Sequence, residues 1–148
     1  MKKTKELLMM SIFEAFERMF YIFLEPSDPG HGGHDIEASI CFDGTLKGEM
    51  KVLLPSAVAR KMVQNMLSLD GDKVTVPQME DCAREAVNVI CGNFLSKLDQ
   101  SSDFRLTLPK CSKPVKGMAS IQASGQENVF TLGFDAEGGE IGVVVVMQ

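Results

Sequence analysis

The feature that most constrains the fold is a long amphipathic run between Thr75 and Asp99. At about 100° per residue, its apolar side chains fall on one side of a helix, and that side must pack against other elements. Thr75 followed three positions later by Gln78, with Pro77 between them, is a capping-box pattern that marks the start of this helix. The expected buried residues are Ala83, Ala86, Val87, Ile90, Phe94 and Leu98.

The other side of the same helix carries a group of residues that we call the polar stripe. They fall within an arc of roughly 60° and are Asp81, Glu85, Asn88 and Gly92. Asparagine is a poor helix former in a helix interior, so something other than propensity must account for Asn88. Taken alone, the polar stripe is typical of a solvated surface. The alternative is a site that reaches into another molecule.

Composition limits the class of protein. A chain of 148 residues has the usual length of one domain, and we expect a single domain over residues 1–148. The net charge of −5 argues against nucleic-acid binding, which depends on neutralising phosphates. No stretch approaches the ~20 apolar residues of a membrane span. We therefore expect a cytoplasmic protein that contacts neither nucleic acid nor membrane.

The rest of the chain predicts an α+β fold. Helical periodicity indicates a first long helix over about residues 4–24 and a shorter helix over about 56–69. Met66 and Leu67 belong to the predicted apolar face of the shorter helix.

Period-two alternation predicts a β-hairpin over about residues 35–43 and 46–54, with a two-residue turn at Asp43-Gly44. Further strands are expected at about 118–123, 130–134 and 141–147. The run from Val143 to Val146 is apolar on both faces of its strand, so cover is expected on both sides, from the domain itself or from a second subunit.

The spacing of the polar stripe resembles a known signature. Asp81, three residues, Glu85, two residues and Asn88 are followed by Pro109 twenty-one positions after the asparagine. This pattern is similar to that of the CheC/CheX/FliY family of bacterial chemotaxis phosphatases, and Gly92 fits it too. The resemblance is closest to the single-site CheX type and extends over almost the whole chain. It implies a CheC-like fold, with two long helices and a shorter one on a mostly antiparallel sheet.

The resemblance implies a protein phosphatase that hydrolyses the aspartyl phosphate of a CheY-like response regulator. It assigns Glu85 to pair with the regulator's lysine. A carboxamide can both accept and donate hydrogen bonds, so Asn88 suits the task of positioning the attacking water. Asp81 and Gly92 are expected to help bind the partner. No cofactor is expected on this chain, because the phosphorylated partner supplies Mg2+. The alternative is a non-catalytic module that binds a receiver domain or another chemotaxis protein.

The first helix holds a near-repeat of the polar stripe. Glu14 and Glu17 repeat the spacing of Glu85 and Asn88, but a glutamate stands where the asparagine would be. Relatives of the CheC type carry two stripes, whereas this chain is expected to carry one working site. CheX-type proteins are homodimers, and the apolar C-terminal strand is compatible with a sheet shared between subunits.

Two further residue groups are candidate sites. His31 and His34 lie on a glycine-rich loop, but a third convincing zinc ligand is missing, so no metal site is expected. The four cysteines show no C-x-x-C spacing and agree with reduced thiols.

Overall fold

The computed structural model describes residues 2–29, 33–101, 103–113 and 128–148. Within these residues, three α-helices pack on a seven-stranded sheet. The helices are α1 (Lys2–Phe20), α2 (Ser56–Leu67) and α3 (Val76–Leu98). The strands are β1 (Glu25–Ser27), β2 (Ile36–Asp43), β3 (Gly48–Leu54), β4 (Arg105–Leu106), β5 (Lys110–Ser112), β6 (Asn128–Ala136) and β7 (Gly139–Met147). The predicted α+β class is confirmed.

The strands are ordered β1-β6-β7-β3-β2-β4, and β5 also pairs with β2. Each of these pairings is antiparallel. The C-terminal strand β7 lies inside the sheet, bonded to β3 on one side and to β6 on the other. It therefore has no free edge, and the idea that it extends the sheet into a second subunit is wrong. The homodimer itself stays a prediction.

The core lies between the sheet and the helices. Alternate residues of β2 point into it, and α3 covers them with buried side chains such as Phe94. Helix α1 packs against α3 and α2 and adds Phe16 to the same core. The opposite face of the sheet is also covered at one place, where Leu53 and Val144 form a small second cluster. Val144 is only 1 % exposed. The predicted cover on both faces of the valine run is thus confirmed at its centre.

The first helix ends earlier than predicted. Tyr21 takes up a left-handed conformation with φ 54°, which stops α1 at Phe20 instead of near residue 24. The N–H of Ile22 then donates to the Phe16 carbonyl oxygen at 3.0 Å and turns the chain towards the sheet. The next residues form β1, a strand at the sheet edge, where Pro26 removes no needed ladder bond. So short a strand has no alternation of polar and apolar residues from which it could be predicted.

The predicted hairpin is present, but its turn is not. The strands stop pairing at Phe42 and Gly48, so a loop of residues 44–47 joins them. Asp43-Gly44 was expected to form a two-residue turn because such a turn needs positive φ. Gly44 instead leaves room for a neighbour: a Cβ atom there would lie 2.8 Å from Cδ1 of Phe104.

The shorter helix is confirmed, but its apolar face is shorter than predicted. Val58 and Met62 are buried, whereas Met66 and Leu67 are 43 % and 50 % exposed, because the last turn extends past the core. The predicted strand over 118–123 and His31 lie outside the described residues. No helix in the described part of the chain is long and apolar enough to cross a membrane.

Candidate functional site

The site is built on α3, whose start is fixed by the predicted capping box. The N–H of Gln78 donates to Thr75 Oγ1 at 3.3 Å, and the N–H of Thr75 donates to Gln78 Oε1 at 2.9 Å. Pro77 occupies the first turn, where its missing N–H has no helical partner to lose. The inner face buries Ala83, Ala86, Val87, Ile90, Cys91, Phe94 and Leu95. Both the start of the helix and its buried face therefore fix which residues face outwards.

The structure brings the four residues of the polar stripe onto the outward side of α3. Asp81 and Glu85 are exposed, while Asn88 and Gly92 are half-buried. Among the residues that the structure describes, the Glu85 carboxylate makes no ion pair and the Asn88 carboxamide makes no hydrogen bond. A carboxylate and a carboxamide less than one turn apart are thus free to contact another molecule. Their chemical roles stay predictions.

Gly92 faces open space. A Cβ atom built on this residue would meet no atom of the described residues within 4 Å. Packing among those residues therefore gives no reason for a glycine, although glycine in a helix interior costs roughly 0.5–1 kcal/mol relative to alanine. The free volume lies one turn beyond Asn88, where a partner could approach the helix backbone closely.

Sequence reasoning missed a contact within the first turns of α3. The Arg84 guanidinium forms an ion pair with the Asp81 carboxylate. The side chain of Asp81 is 73 % exposed and that of Arg84 is 34 % exposed, so the arginine is the less exposed partner. Opposite charges three positions apart on a helix are a recognised signal for such a pair.

Pro109 lies at a bulge in the sheet edge next to α3. Along β2 the pairing advances three residues, from Phe42 to Ser39, while the opposite segment advances four, from Leu106 to Lys110. The extra residue is a β-bulge, a place where proline costs no ladder bond. Downstream of this bulge, β5 packs against α3. The proline that follows the motif in sequence therefore leads the chain back to the motif helix.

Charged side chains of α3 affect the pKa of a thiol in the adjoining strand β5. Burial raises the pKa of the Cys111 thiol in β5, and the nearby Glu80 carboxylate raises it further, while Arg84 acts in the opposite direction. On the inner face of α3, burial raises the pKa of Cys91 to about 12. The four cysteines are free, as expected for reduced thiols. None of these thiols belongs to the polar stripe.

The near-repeat on α1 has a different environment. Glu14 accepts a hydrogen bond from Lys97 Nζ at 3.2 Å, so its carboxylate joins α1 to α3. Glu17 is exposed on the same helix. The absence of a second stripe is predicted from the sequence alone. The structure adds that Glu14, the carboxylate whose position matches Glu85, is already paired with Lys97.

His34 lines a cavity of about 440 Å³ together with Ser56, Glu80 and Lys113. Burial lowers the pKa of His34, and the neighbouring Glu140 and Asp35 oppose that shift. Among the residues described, no group of three or more histidine, cysteine, aspartate or glutamate side chains lies close enough to hold a metal ion.

Comparison with known families matches residues 36–135 to the family described as chemotaxis phosphatase CheX. The match includes all of α3 and Pro109. Comparison with curated protein sequences finds no match.

Several solved structures are similar over nearly their whole length, and three of them illustrate the match. The chemotaxis protein CheX of Vibrio vulnificus is 21 % identical with a TM-score of 0.81, covering 97 % of this chain and 95 % of that one. CheX of Desulfovibrio desulfuricans is 19 % identical with a TM-score of 0.78, covering 99 % of both chains. A CheX-CheY-BeF3-Mg2+ complex from Borrelia burgdorferi matches with 16 % identity and a TM-score of 0.72, covering 97 % and 96 %. At these identities the structures show a shared fold.

Proposed function

Because this chain belongs to the CheX family of chemotaxis phosphatases, we propose that it hydrolyses the aspartyl phosphate of a CheY-like response regulator. The observation that carries the proposal is that, within the part of the chain that the structure describes, the Glu85 carboxylate and the Asn88 carboxamide lie unpaired on the outer face of α3. The similarity to a CheX structure solved with CheY, BeF3 and Mg2+ supports the choice of partner.

In the proposed reaction, the oxygen of a water molecule attacks phosphorus in line with the aspartyl oxygen. The P–O bond to the regulator's aspartate breaks, which returns a carboxylate and releases inorganic phosphate. Such reactions depend mostly on positioning and on stabilising charge. Asn88 would accept a hydrogen bond from the water and donate one to a phosphoryl oxygen. Its role is therefore to hold the water, not to deprotonate it.

Glu85 would dock the regulator. A carboxylate is a poor nucleophile towards an anionic phosphoryl group, because like charges repel. It is a good partner for the lysine that a CheY-like regulator carries beside its phosphorylation site. Pairing with that lysine would orient α3 and bring Asn88 to the phosphoryl group.

The remaining residues of the polar stripe would shape the contact. Asp81 would contribute to docking, and the open space at Gly92 would let the regulator approach the helix backbone. Mg2+ would arrive with the regulator, where it neutralises charge on the phosphoryl oxygens. The residues of this chain would then only position the water and the regulator.

The test is the loss of phosphate from a phosphorylated receiver domain, measured with and without this protein. We expect the protein to accelerate the loss. Asn88→Ala should reduce that acceleration about 10²-fold, the usual effect of removing one positioned hydrogen-bonding group from an active site. The Kd for the regulator carrying beryllofluoride and Mg2+ should change by less than about twofold, because docking rests on Glu85.

Asn93→Ala is a matched control, because Asn93 is also half-buried on α3 but lies outside the polar stripe. It should leave the rate unchanged. No acceleration with any regulator of the source genome would overturn the enzymatic function. Binding without acceleration would identify the chain as a non-catalytic module that uses the same surface.

A further inference from the structure

The outward side of α3 carries more negative than positive charge, which would oppose the proposed binding of a phosphorylated regulator. Glu80, Asp81 and Glu85 lie within six positions, and Asp81 and Glu85 are one turn apart. Like charges at this spacing repel each other. They would also repel a phosphoryl dianion brought towards the helix by a partner. The regulator's lysine could neutralise Glu85, but it could not neutralise Asp81 as well.

Arg84 is placed to neutralise Asp81. The sequence of α3 contains two cations, and the other, Lys97, is engaged by Glu14 at 3.2 Å. The Arg84 guanidinium contacts the Asp81 carboxylate and is the less exposed of the two groups. It stands one position before Glu85 and four before Asn88, so it lies between the docking carboxylate and the start of the helix.

The two partners of this pair also differ in their surroundings. The side chain of Arg84 is partly covered, and its positive charge acts to lower the pKa of the Cys111 thiol in β5, a strand that packs against α3. Asp81, in contrast, projects into solvent. An exposed pair of this kind contributes little to folding stability. Its effect on a charged partner is larger, because the partner meets a neutral pair instead of a free carboxylate.

We propose that Arg84 is a positioning residue that neutralises and orients Asp81, leaving Glu85 as the one uncompensated carboxylate of the polar stripe for the regulator's lysine. This proposal rests on the proposed function, since it concerns docking at the same site. Arg84 acts through Asp81 and does not contact the reacting atoms.

The experiment compares four variants with the intact protein: Arg84→Gln, Arg84→Lys, Asp81→Asn and the double variant R84Q/D81N. Two quantities are measured at low ionic strength. One is the Kd for the regulator loaded with beryllofluoride and Mg2+, and the other is the pair kcat and KM for the phosphorylated regulator. The first does not depend on any catalytic activity.

We expect Arg84→Gln to raise Kd and KM about tenfold while kcat changes by less than about twofold. Arg84→Lys keeps the charge and should recover most of the loss. In the double variant the unpaired carboxylate is gone, so Kd should be lower than in Arg84→Gln, and the remaining difference from the intact protein measures what Asp81 contributes to docking. The effect of Arg84→Gln should shrink at high salt, since exposed charges are screened.

Lys97→Gln is the matched control, because it removes the other cation of α3 without touching the polar stripe. It should leave Kd unchanged. Equal Kd values for all variants would overturn the proposal and identify the pair as a solvated surface contact. A loss of kcat that Asp81→Asn does not recover would also overturn it, because Arg84 would then act on the phosphoryl group directly.

The outcomes separate this proposal from the proposed function. If the intact protein binds the loaded regulator but does not accelerate phosphate loss, the enzymatic function fails while the Kd comparison still decides the role of Arg84. If the intact protein neither binds nor dephosphorylates any regulator of the source genome, both proposals fall.

Discussion

Glu14 of α1 and Glu85 of α3 hold the same place in two similar spacings, but their surroundings differ. The Glu14 carboxylate lies 3.2 Å from Lys97 Nζ and ties the two long helices together. Glu85 has no ion pair among the described residues and faces outwards. A carboxylate at the right spacing is therefore not by itself sufficient for the proposed docking. Its charge must also be unpaired, and in α1 the Glu14 carboxylate is already paired with Lys97 of the neighbouring helix.

The two helices differ again seven positions after these glutamates, at Tyr21 and Gly92. In α1 a tyrosine takes up the left-handed conformation that favours glycine, and the helix ends there. In α3 a glycine lies within an unbroken helix, where alanine would be more stable. Both residues act against local preference. In α3 no contact among the described residues explains this, and the proposed approach of the regulator at that position would account for it.

The largest expected difference between the helices is in binding and rate. Glu85→Ala should lower kcat/KM for the phosphorylated regulator about tenfold or more and should weaken binding as well, because the regulator's lysine loses its partner. Glu14→Ala should leave both unchanged. It should lower the free energy of unfolding by at most about 1 kcal/mol, since the pair with Lys97 is partly exposed.

Enzyme assays and urea denaturation of the two variants measure these quantities side by side. A similar loss of activity in both variants would show that α1 also docks the regulator, and the single-site assignment would then be wrong. Loss of stability in Glu85→Ala would instead indicate a structural role for that carboxylate.

What could be predicted from sequence depended on the distance over which each signal acts. The start of α3 and the polar stripe were predictable because a capping box and a helical period are local. The loop at Gly44 was not, since its cause is the ring of Phe104, sixty positions away. The pairing of Glu14 with Lys97 was missed for the same reason. The Arg84 contact was within reach of sequence reasoning, because its partner is three positions away.

A smaller effect should distinguish the influence of Gly92 on folding stability from its influence on the approach of the regulator. Gly92→Ala should raise the free energy of unfolding by roughly 0.5–1 kcal/mol, because the new methyl group enters open space and alanine favours a helix. The same variant should lower kcat/KM several-fold, because the methyl group keeps the regulator from the helix backbone. Thermal unfolding and the dephosphorylation assay measure the two effects.

Ser96→Ala provides the control for Gly92→Ala, because Ser96 is an exposed residue of α3 one turn beyond it and outside the polar stripe. It should raise stability slightly and leave kcat/KM unchanged. If Gly92→Ala also left kcat/KM unchanged, close approach at this position would be excluded.

The smallest expected effect concerns the end of α1. Tyr21→Gly should raise the free energy of unfolding by up to about 1 kcal/mol, because a left-handed conformation costs an L-residue about 1–2 kcal/mol and the added freedom of the unfolded chain offsets part of the gain. The side chain of Tyr21 is 67 % exposed, so little burial is lost.

Phe23→Gly is the matched control. Phe23 is more exposed still, but its φ is not positive, so that variant should not be stabilised. Urea denaturation of the two variants distinguishes backbone strain from the loss of an aromatic ring. Equal destabilisation of both variants would mean that the aromatic ring of Tyr21 affects stability and that its left-handed backbone conformation does not. The ring, and not backbone strain, would then determine where α1 ends.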